Sequence, residues 1–600
     1  MKKHKTYILL LPILISLCMG CDMLNRRDIY KRPDWLPGKL YTAVSAQKNL
    51  SMFAECLRLT GLDTIVNVSG SWTIFAPTDE AMKQYLNENH YASLSDIPLD
   101  ELERITEFHI IQDAWTLEQL QNLTAYGWRT EDNGNRSSYA YKFQTMLKNP
   151  VEKYWVKREN GKDMIVPDSA NSDGYKRVFV QSRKYAPIFY DKYMAVNGLS
   201  SEDYSFYFDR PYEPGNVYYG GAKILQSDIF AENGFIHIID RVVDPMLNAQ
   251  ELLDRNLPGE SYKLFLEMVN WYYPSFVPDM TATNNQPEVR RGGLVDTLWD
   301  LSYSPLTFDL NKELIKQSGY GNNFTYSINS TLVNHNGLFV PTDDAFSKFI
   351  DGILTVKSGF PHWRDFKSLP QDIVAIIVPP HFKSSPIYPT TYLYQQIFKG
   401  AGSFKQNDGD IIRKEFGSNC TFLGLSSYIP NRVFTSVTGP VFCRPSYSLF
   451  RLAMQYSGVD DMIADNTGVL YFFPIPDYAL EIDSALILNW INIDQNRYNF
   501  KAYDKSMHQM VVLDQNTIRN LILNQVGTST PGGSDNKEII RTLRGNSLTW
   551  DHSDNTIQGT LPSTNGYNGG AVTTCTPVRM NEPTDNGSTW SVNYWFNFRN

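Results

Sequence analysis

The sequence predicts an α+β protein built from tandem copies of one helix–strand–helix unit, and three observations carry that prediction. The string Phe75-Ala76-Pro77-Thr78-Asp79 returns nearly unchanged as Phe339-Val340-Pro341-Thr342-Asp343. Each copy stands where a strand-like alternation gives way to helical spacing of apolar residues. A fainter third copy, "PSYSLFRLAMQYSGVDDMIADNTGVLYFFPIPDYAL" at 445–480, keeps the element order of 48–83 while its corner residues drift, with Phe472-Phe473-Pro474 in place of Phe75-Ala76-Pro77. Internal repeats outrank other signals, because missing one misassigns the whole fold.

The chain opens with Lys2, Lys3 and Lys5 ahead of an apolar run from Tyr7 to Leu17. That run is too short for a permanent membrane span and reads as a secretory signal over 1–20. It ends in Cys18-Met19-Gly20-Cys21, similar to a lipoprotein cleavage site in which Cys21 takes the lipid, although Cys18 stands where an aliphatic residue is usual. Plain secretion, with Cys21 an ordinary thiol, is the alternative. Residues 21–38, punctuated by Pro33 and Pro37, suit a tether. The expected location is the cell envelope, lipid-anchored to the outer membrane and surface-exposed.

In the first unit, Leu50, Phe53, Ala54 and Leu57 fall at helical spacing and Gly61 is placed to end that helix. Trp72, Ile74 and Ala76 alternate as a strand that Pro77 stops. Thr78 can cap a new helix, with Asp79 and Glu80 in its electropositive first turn and Ala81, Met82, Tyr85 and Leu86 on its buried face. A second helix is expected over 102–111, and Asn233-Gly234 signals a hairpin before the alternating "FIHIID" at 235–240. The second unit repeats the corner, with a second helix at 371–378 and a closing strand "VFTSV" (433–437) after Asn431-Arg432. The third has its second helix at 517–526 and closes with "STWSVNYW" (588–595) after Asn586-Gly587.

Composition narrows the function classes. A chain of 600 residues carries roughly three to five domains. Net charge of -9 and no long basic run argue against a nucleic-acid partner. Beyond Cys21 only Cys56, Cys420, Cys443 and Cys575 remain, which is no disulfide framework; a Cys420–Cys443 pair stays open. No nucleophile elbow, His-Glu-x-x-His helix, phosphate loop or dinucleotide glycine run occurs, so no catalytic residue, metal or cofactor is expected.

These elements resemble the fasciclin domain, an extracellular module known for adhesion and binding. Its Phe-Ala-Pro-Thr corner is met by both strings above, its second-helix ending by Phe108-His109, and its closing Asn-Gly-x-Ile-His by Asn233-Gly234 and Ile236-His237. The "TLRGNSLTW" segment (542–550) is similar to the family's Leu-x-Gly-Asn strand. The resemblance implies tandem fasciclin-like domains, a β-sandwich or wedge with packed helices, at 39–246, 247–442 and 443–600. The first carries an insertion at 125–232 and the second one near 270–332. It also singles out Phe75, Pro77, Thr78, Asp79, Phe108, His109, Phe339, Pro341, Thr342 and Asp343 as motif residues, structural or adhesive. The second unit has Pro379-Pro380-His381 where the motif has Tyr-His, and the third lacks both the threonine cap and the histidine.

The insertions are rich in aromatics. Trp128, Tyr139, Tyr141, Tyr154, Trp155, Tyr218 and Tyr219 form a candidate binding face, since Tyr and Trp give wide contact at low entropy cost. The alternative is that they build a local core and an interface between units. His109 and His237 are expected as buried structural histidines rather than bases. The expected function is a non-enzymatic surface lipoprotein for adhesion or for binding an extracellular protein or glycan. The runner-up is an accessory subunit of an outer-membrane SusCD-like nutrient importer capturing oligosaccharide or peptide. A hydrolase with a spatially assembled site comes third.

Overall fold

The computed structural model describes residues 36 and 38–596, except 69, 125–126, 129–138, 181–182, 314–329, 332–334, 356–361, 401–403, 483–488, 494–496, 505–508, 561–572 and 581–583. The signal segment, Cys21 and most of the tether lie outside the described residues. No helix among the described residues is long and apolar enough to cross a membrane.

One arrangement of four strands occurs three times. The opening strands Trp72–Pro77, Asn336–Pro341 and Leu470–Phe472 each pair in parallel with a closing strand, respectively Gly234–Ile239, Cys420–Leu425 and Gly587–Ser591. On its other side each opening strand pairs antiparallel with the strand after the second helix: Ile110–Gln112, Phe382–Lys383 and Val526–Thr530. An antiparallel neighbour lies outside each closing strand: Ala222–Ala231, Ile411–Phe416 and Val578–Met580. The apolar corner residues explain why these strands sit mid-sheet. Phe75, Phe339 and Phe473 are fully buried, and a strand covered on both faces favours a continuous apolar run.

The registers correct two sequence expectations. Trp72, Asn336 and Leu470 face Gly234, Cys420 and Gly587. The second closing strand is therefore Cys420–Leu425, and Arg432–Phe434 near the expected site is a 3-10 turn capped by Asn431. In the first and third units a Cβ at the glycine would fall 1.8 Å from the Trp72 carbonyl oxygen or 1.9 Å from that of Leu470. The second unit holds Cys420 at this position and so lacks the Asn-Gly signal. The third corner is shifted by one residue: Pro474 matches Ala76, and Pro476 matches Thr78. Its carbonyl accepts from Leu480 N at 3.2 Å, as that of Thr78 accepts from Met82 N at 2.9 Å.

The region 125–232 is not an excursion from the first unit. Strands Lys142–Lys148, Arg183–Phe189, Tyr218–Tyr219 and Ala222–Ala231 belong to the same eight-stranded sheet as the corner. The remainder meets the second insertion. Glu152–Glu159, Lys162–Val166 and Gly174–Val178 from the first join Ser275–Pro278 and Leu298–Ser302 from the second in one five-stranded composite sheet. Its inner face, with Tyr154, Val156, Ile165, Val178, Phe276 and Leu301, shares an apolar cluster with the helix Lys263–Tyr272.

Contacts between units are extensive. Asp203, buried in the capping box of helix Ser201–Phe208, accepts from Thr390 N at 3.0 Å and from its hydroxyl. Phe189, Tyr207 and Phe208 pack edge-on or tilted against Phe416. Lys184 pairs with Glu251 and lies 3.9 Å from Glu313, while Lys142 donates to the Ser418 carbonyl. Burial lowers Lys142 to about 8 and raises Glu313. Between the second and third units Arg451 donates to Asp372 at 2.7 Å. Those two units share a single apolar cluster.

Candidate functional site

The polar residues of the corner hold backbone. Thr78 and Thr342 hydroxyls accept from Ala81 N at 3.1 Å and Ala345 N at 3.3 Å, capping their own helices. The aspartates reach further than expected. Asp79 accepts from Met52 N at 2.8 Å and Ser51 Oγ at 2.7 Å; Asp343 accepts from Leu264 N at 2.7 Å and Ser261 Oγ at 2.5 Å. Each caps the preceding helix, Ser51–Leu59 or Lys263–Tyr272, rather than only its own first turn. In the third unit Asp477 does the same for Ser448–Ser457, accepting from Ser448 N and Leu449 N at 3.0 Å. A carboxylate at a helix N-terminus satisfies orphan amides and meets the positive end of the dipole.

An asparagine before each closing strand forms a second triplicate lock. Asn233 Oδ1 accepts from Leu40 N at 3.1 Å and its amide donates to the Val66 carbonyl at 2.7 Å. Asn419 accepts from Ala249 N at 2.9 Å and donates to the carbonyls of Leu310 at 2.9 Å and Lys312 at 3.0 Å. Asn586 accepts from Val437 N at 2.9 Å and donates to those of Ile463 at 3.1 Å and Asn466 at 3.0 Å. Asn233 and Asn586 tie the chain at Leu40 and at Val437 to the segments just before their opening strands, and Asn419 ties Ala249 to the segment around Leu310 and Lys312, further upstream of its own. Sequence reading found two of these asparagines as hairpin signals and missed Asn419.

The histidines are also framework. Buried His109 bonds the Ile105 carbonyl through Nδ1 at 2.8 Å and accepts from Val243 N through Nε2 at 3.1 Å. Desolvation holds its imidazole down at about 4. Phe108 is fully buried. His381 occupies the same place in the second unit, since Leu338 faces Phe382 as Ile74 faces Ile110; its Nδ1 meets the Phe339 carbonyl at 2.5 Å. In the third unit Gln525 takes over. Its carbonyl accepts from Phe473 N at 2.8 Å, as that of His109 accepts from Phe75 N at 2.9 Å, and its Oε1 accepts from Phe596 N at 2.8 Å. The motif is thus kept in function where its letters change. His237 is buried, with Nδ1 accepting from Asp228 N at 3.3 Å and Nε2 3.1 Å from the Trp115 carbonyl.

The aromatic binding face is largely overturned. Tyr139, Tyr141, Tyr154, Tyr218 and Tyr219 are buried. All but Tyr154 belong to the first unit's apolar cluster; Tyr219 stacks on Phe75 at 4.1 Å and donates to the Phe108 carbonyl. The Trp128 side chain lies outside what is described. Only Trp155 stays half-exposed, and its partner is Tyr175, 45% exposed, which sequence reading did not place in the site. These two lie opposite each other on the outer face of the composite sheet, rings 5.8 Å apart at 84°. Lys153 Nζ stands 4.3 Å from the centre of one ring and 4.1 Å from the other. The strand alternation Lys153-Trp155-Lys157 was the available signal.

All four described cysteines are buried free thiols, so Cys420 and Cys443 are unpaired. Among the described residues no three His, Cys, Asp or Glu gather as a metal site.

The profile of the fasciclin domain family matches residues 48–199. No curated protein sequence matches the chain. Among solved structures, one described as "Novel Fold Revealed by the Structure of a FAS1 Domain Pair from the Insect Cell Adhesion Molecule Fasciclin I" is similar at 14% identity. The likeness covers 64% of this chain and 97% of that chain, with a TM-score of 0.19. The profile match contains the corner, its threonine cap, the capping aspartate and the Phe108-His109 helix end described above, and on that ground residues 48–199 carry a fasciclin domain.

Proposed function

We propose that this is a non-enzymatic adhesion or ligand-binding lipoprotein. In this reading three fasciclin-like domains, at 39–246, 247–442 and 443–600, form a scaffold held at the outer membrane through lipid on Cys21. Fasciclin domains are generally associated with cell adhesion, and the similar insect protein is named as a cell adhesion molecule. The motif's aspartates, threonines and histidines hold backbone, which leaves recognition to added surface. The observation that supports the reading most is the composite sheet. Two insertions far apart in the chain meet to build one sheet, and its outer face presents Trp155 and Tyr175. Exposed aromatic area of this kind marks contact surfaces.

The test uses the full mature chain on fluorescent beads, offered to immobilised extracellular polysaccharides and matrix proteins. Wild-type beads are retained on at least one surface; beads carrying Trp155→Ala with Tyr175→Ala are not, while circular dichroism stays unchanged. Equal retention of both would remove the composite face from the reading, and retention on no surface would end the adhesive one. Labelled palmitate is incorporated by wild type and lost in Cys21→Ser; persistent labelling would place the lipid elsewhere.

A further inference from the structure

The two faces of the composite sheet treat their cations differently. On the inner face Lys176 is matched, bonding Asp163 at 2.8 Å and lying over the rings of Trp299 and Phe276. On the outer face Lys153 and Arg177 stand directly opposite each other across neighbouring strands. Like charges in that register are destabilising, and no salt bridge within the described residues engages either one. The adjacent cross-strand pair is Trp155 and Tyr175. A carboxylate at this margin, Asp296, accepts from the Tyr175 hydroxyl at 3.0 Å and steadies its ring. A chain of net charge -9 therefore keeps, beside an exposed aromatic pair, two cations with no carboxylate partner among the described residues, Lys153 resting only on the rings of Trp155 and Tyr175.

Resting on the adhesive reading above, we propose that this face takes an acidic polysaccharide whose charge is a sugar carboxylate. Three features select that class. Arg177 offers a planar fork that fits a carboxylate in bidentate fashion, and Lys153 supplies a second cation beside it. The cation pair and the aromatic pair lie two residues apart along the strands, about 7 Å, the scale of one sugar ring with its carboxyl substituent. The C–H face of that ring can lie on exposed Tyr175 while the carboxylate reaches Arg177. An extended acidic peptide is less suited, because Glu152–Glu159 and Gly174–Val178 are both internal strands whose backbone is paired on either side. No free edge is available there for strand addition.

The test probes the full mature chain with polygalacturonate, using dextran, heparin and polyglutamate as comparisons. Wild type binds polygalacturonate and loses affinity as salt rises, because the contact is exposed. Lys153→Gln with Arg177→Gln weakens that binding about tenfold or more, the scale of a lost hydrogen bond to a charged group. Arg177→Lys, which keeps charge and loses the fork, recovers only part of it. Circular dichroism and the melting midpoint stay at wild-type values, since Lys153 is exposed, Arg177 is partly so, and neither has a salt bridge to lose among the described residues. Dextran binding as tight as polygalacturonate would overturn the proposal, as would equal binding of polyglutamate, a preference for heparin, or indifference to the glutamine pair. If those changes have no effect while Trp155→Ala with Tyr175→Ala still abolishes bead retention, the acidic class fails and the adhesive face stands. If the aromatic changes leave retention intact, the adhesive face itself fails.

Discussion

Removing the Asn419 side chain tests the idea that three asparagines lock three units. The residue is 2% exposed. Its Oδ1 accepts from Ala249 N at 2.9 Å, and its amide faces the carbonyls of Leu310, Lys312 and Asp309 at 2.9, 3.0 and 3.3 Å. An amide has two hydrogens, so the three carbonyls share two full donations. Asn419→Ala thus removes about three hydrogen bonds worth ~1 kcal/mol each and strands the buried Ala249 N–H, for a loss of about 4 kcal/mol. A chain of this size does not unfold in one step, so the cleaner assay is amide exchange in the native state. Peptides spanning 248–254 and 419–425 are expected to lose protection together, while those around Asn233 and Asn586 keep theirs. The melting midpoint of the affected region drops by about 8–16 °C at 2–4 °C per kcal/mol. Asn419→Asp keeps the acceptor for Ala249 but buries a charge against carbonyl oxygens, and is expected to be worse than alanine. A loss below about 1 kcal/mol for the alanine variant, or exchange confined to residue 419 itself, would refute the lock.

Other consequences follow from the same geometry. His109 is held at about 4 against an ordinary 6.5, so the unfolded chain takes up its proton before the native one. Its contribution is intact above pH 6.5 and drains as pH falls toward 4, by up to about 1.4 kcal/mol per pH unit. His109→Gln, copying Gln525, flattens that slope in melting curves taken between pH 7 and 4.5; an unchanged slope would exclude His109 as its source. Asp372→Ala leaves Arg451 buried without its carboxylate and costs about 3–5 kcal/mol, whereas Asp372→Leu with Arg451→Met recovers most of it in chemical denaturation. Reducing agent leaves the melting midpoint unchanged, since Cys420 and Cys443 are unpaired. Cys443, pushed up to about 12 by burial, reacts with thiol reagents only after denaturant is added; rapid labelling of the native chain would contradict its burial. A chain lacking residues 125–232 fails to fold its first unit, because the deletion takes four strands from the corner's own sheet; a native-like exchange pattern around Phe75 would oppose this.

The corner was legible because its determinants are local. A proline that stops a strand, a threonine that caps the next helix and apolar residues at helical spacing act within a few residues of one another, so Phe75–Asp79 and Phe339–Asp343 announce themselves. The second closing strand did not, because its position opposite Asn336 carries Cys420 in place of glycine, and Asn431 offered a turn signal of the same kind nearby. Gln525 stayed hidden for a related reason. What the site requires is a hydrogen-bonding side chain of a certain reach, and a glutamine supplies it as well as a histidine.

The local grammar of the chain thus determined by itself that strand–turn–helix units recur, that their cores are apolar and that the protein is acidic with few thiols. Only the tertiary structure decided which tyrosines are core and which aromatics meet solvent. Tyr154 and Trp155 are neighbours in sequence with the same contact chemistry, yet strand alternation sends one to the inner face and the other outward. That assignment depends on which side of the sheet the helix Lys263–Tyr272 covers, more than a hundred residues away. The partnership of Trp155 with Tyr175, Lys153 and Arg177 has the same origin. It comes from two insertions pairing in space, and pairing between distant strands is fixed by the packing of the whole chain rather than by any short stretch of it.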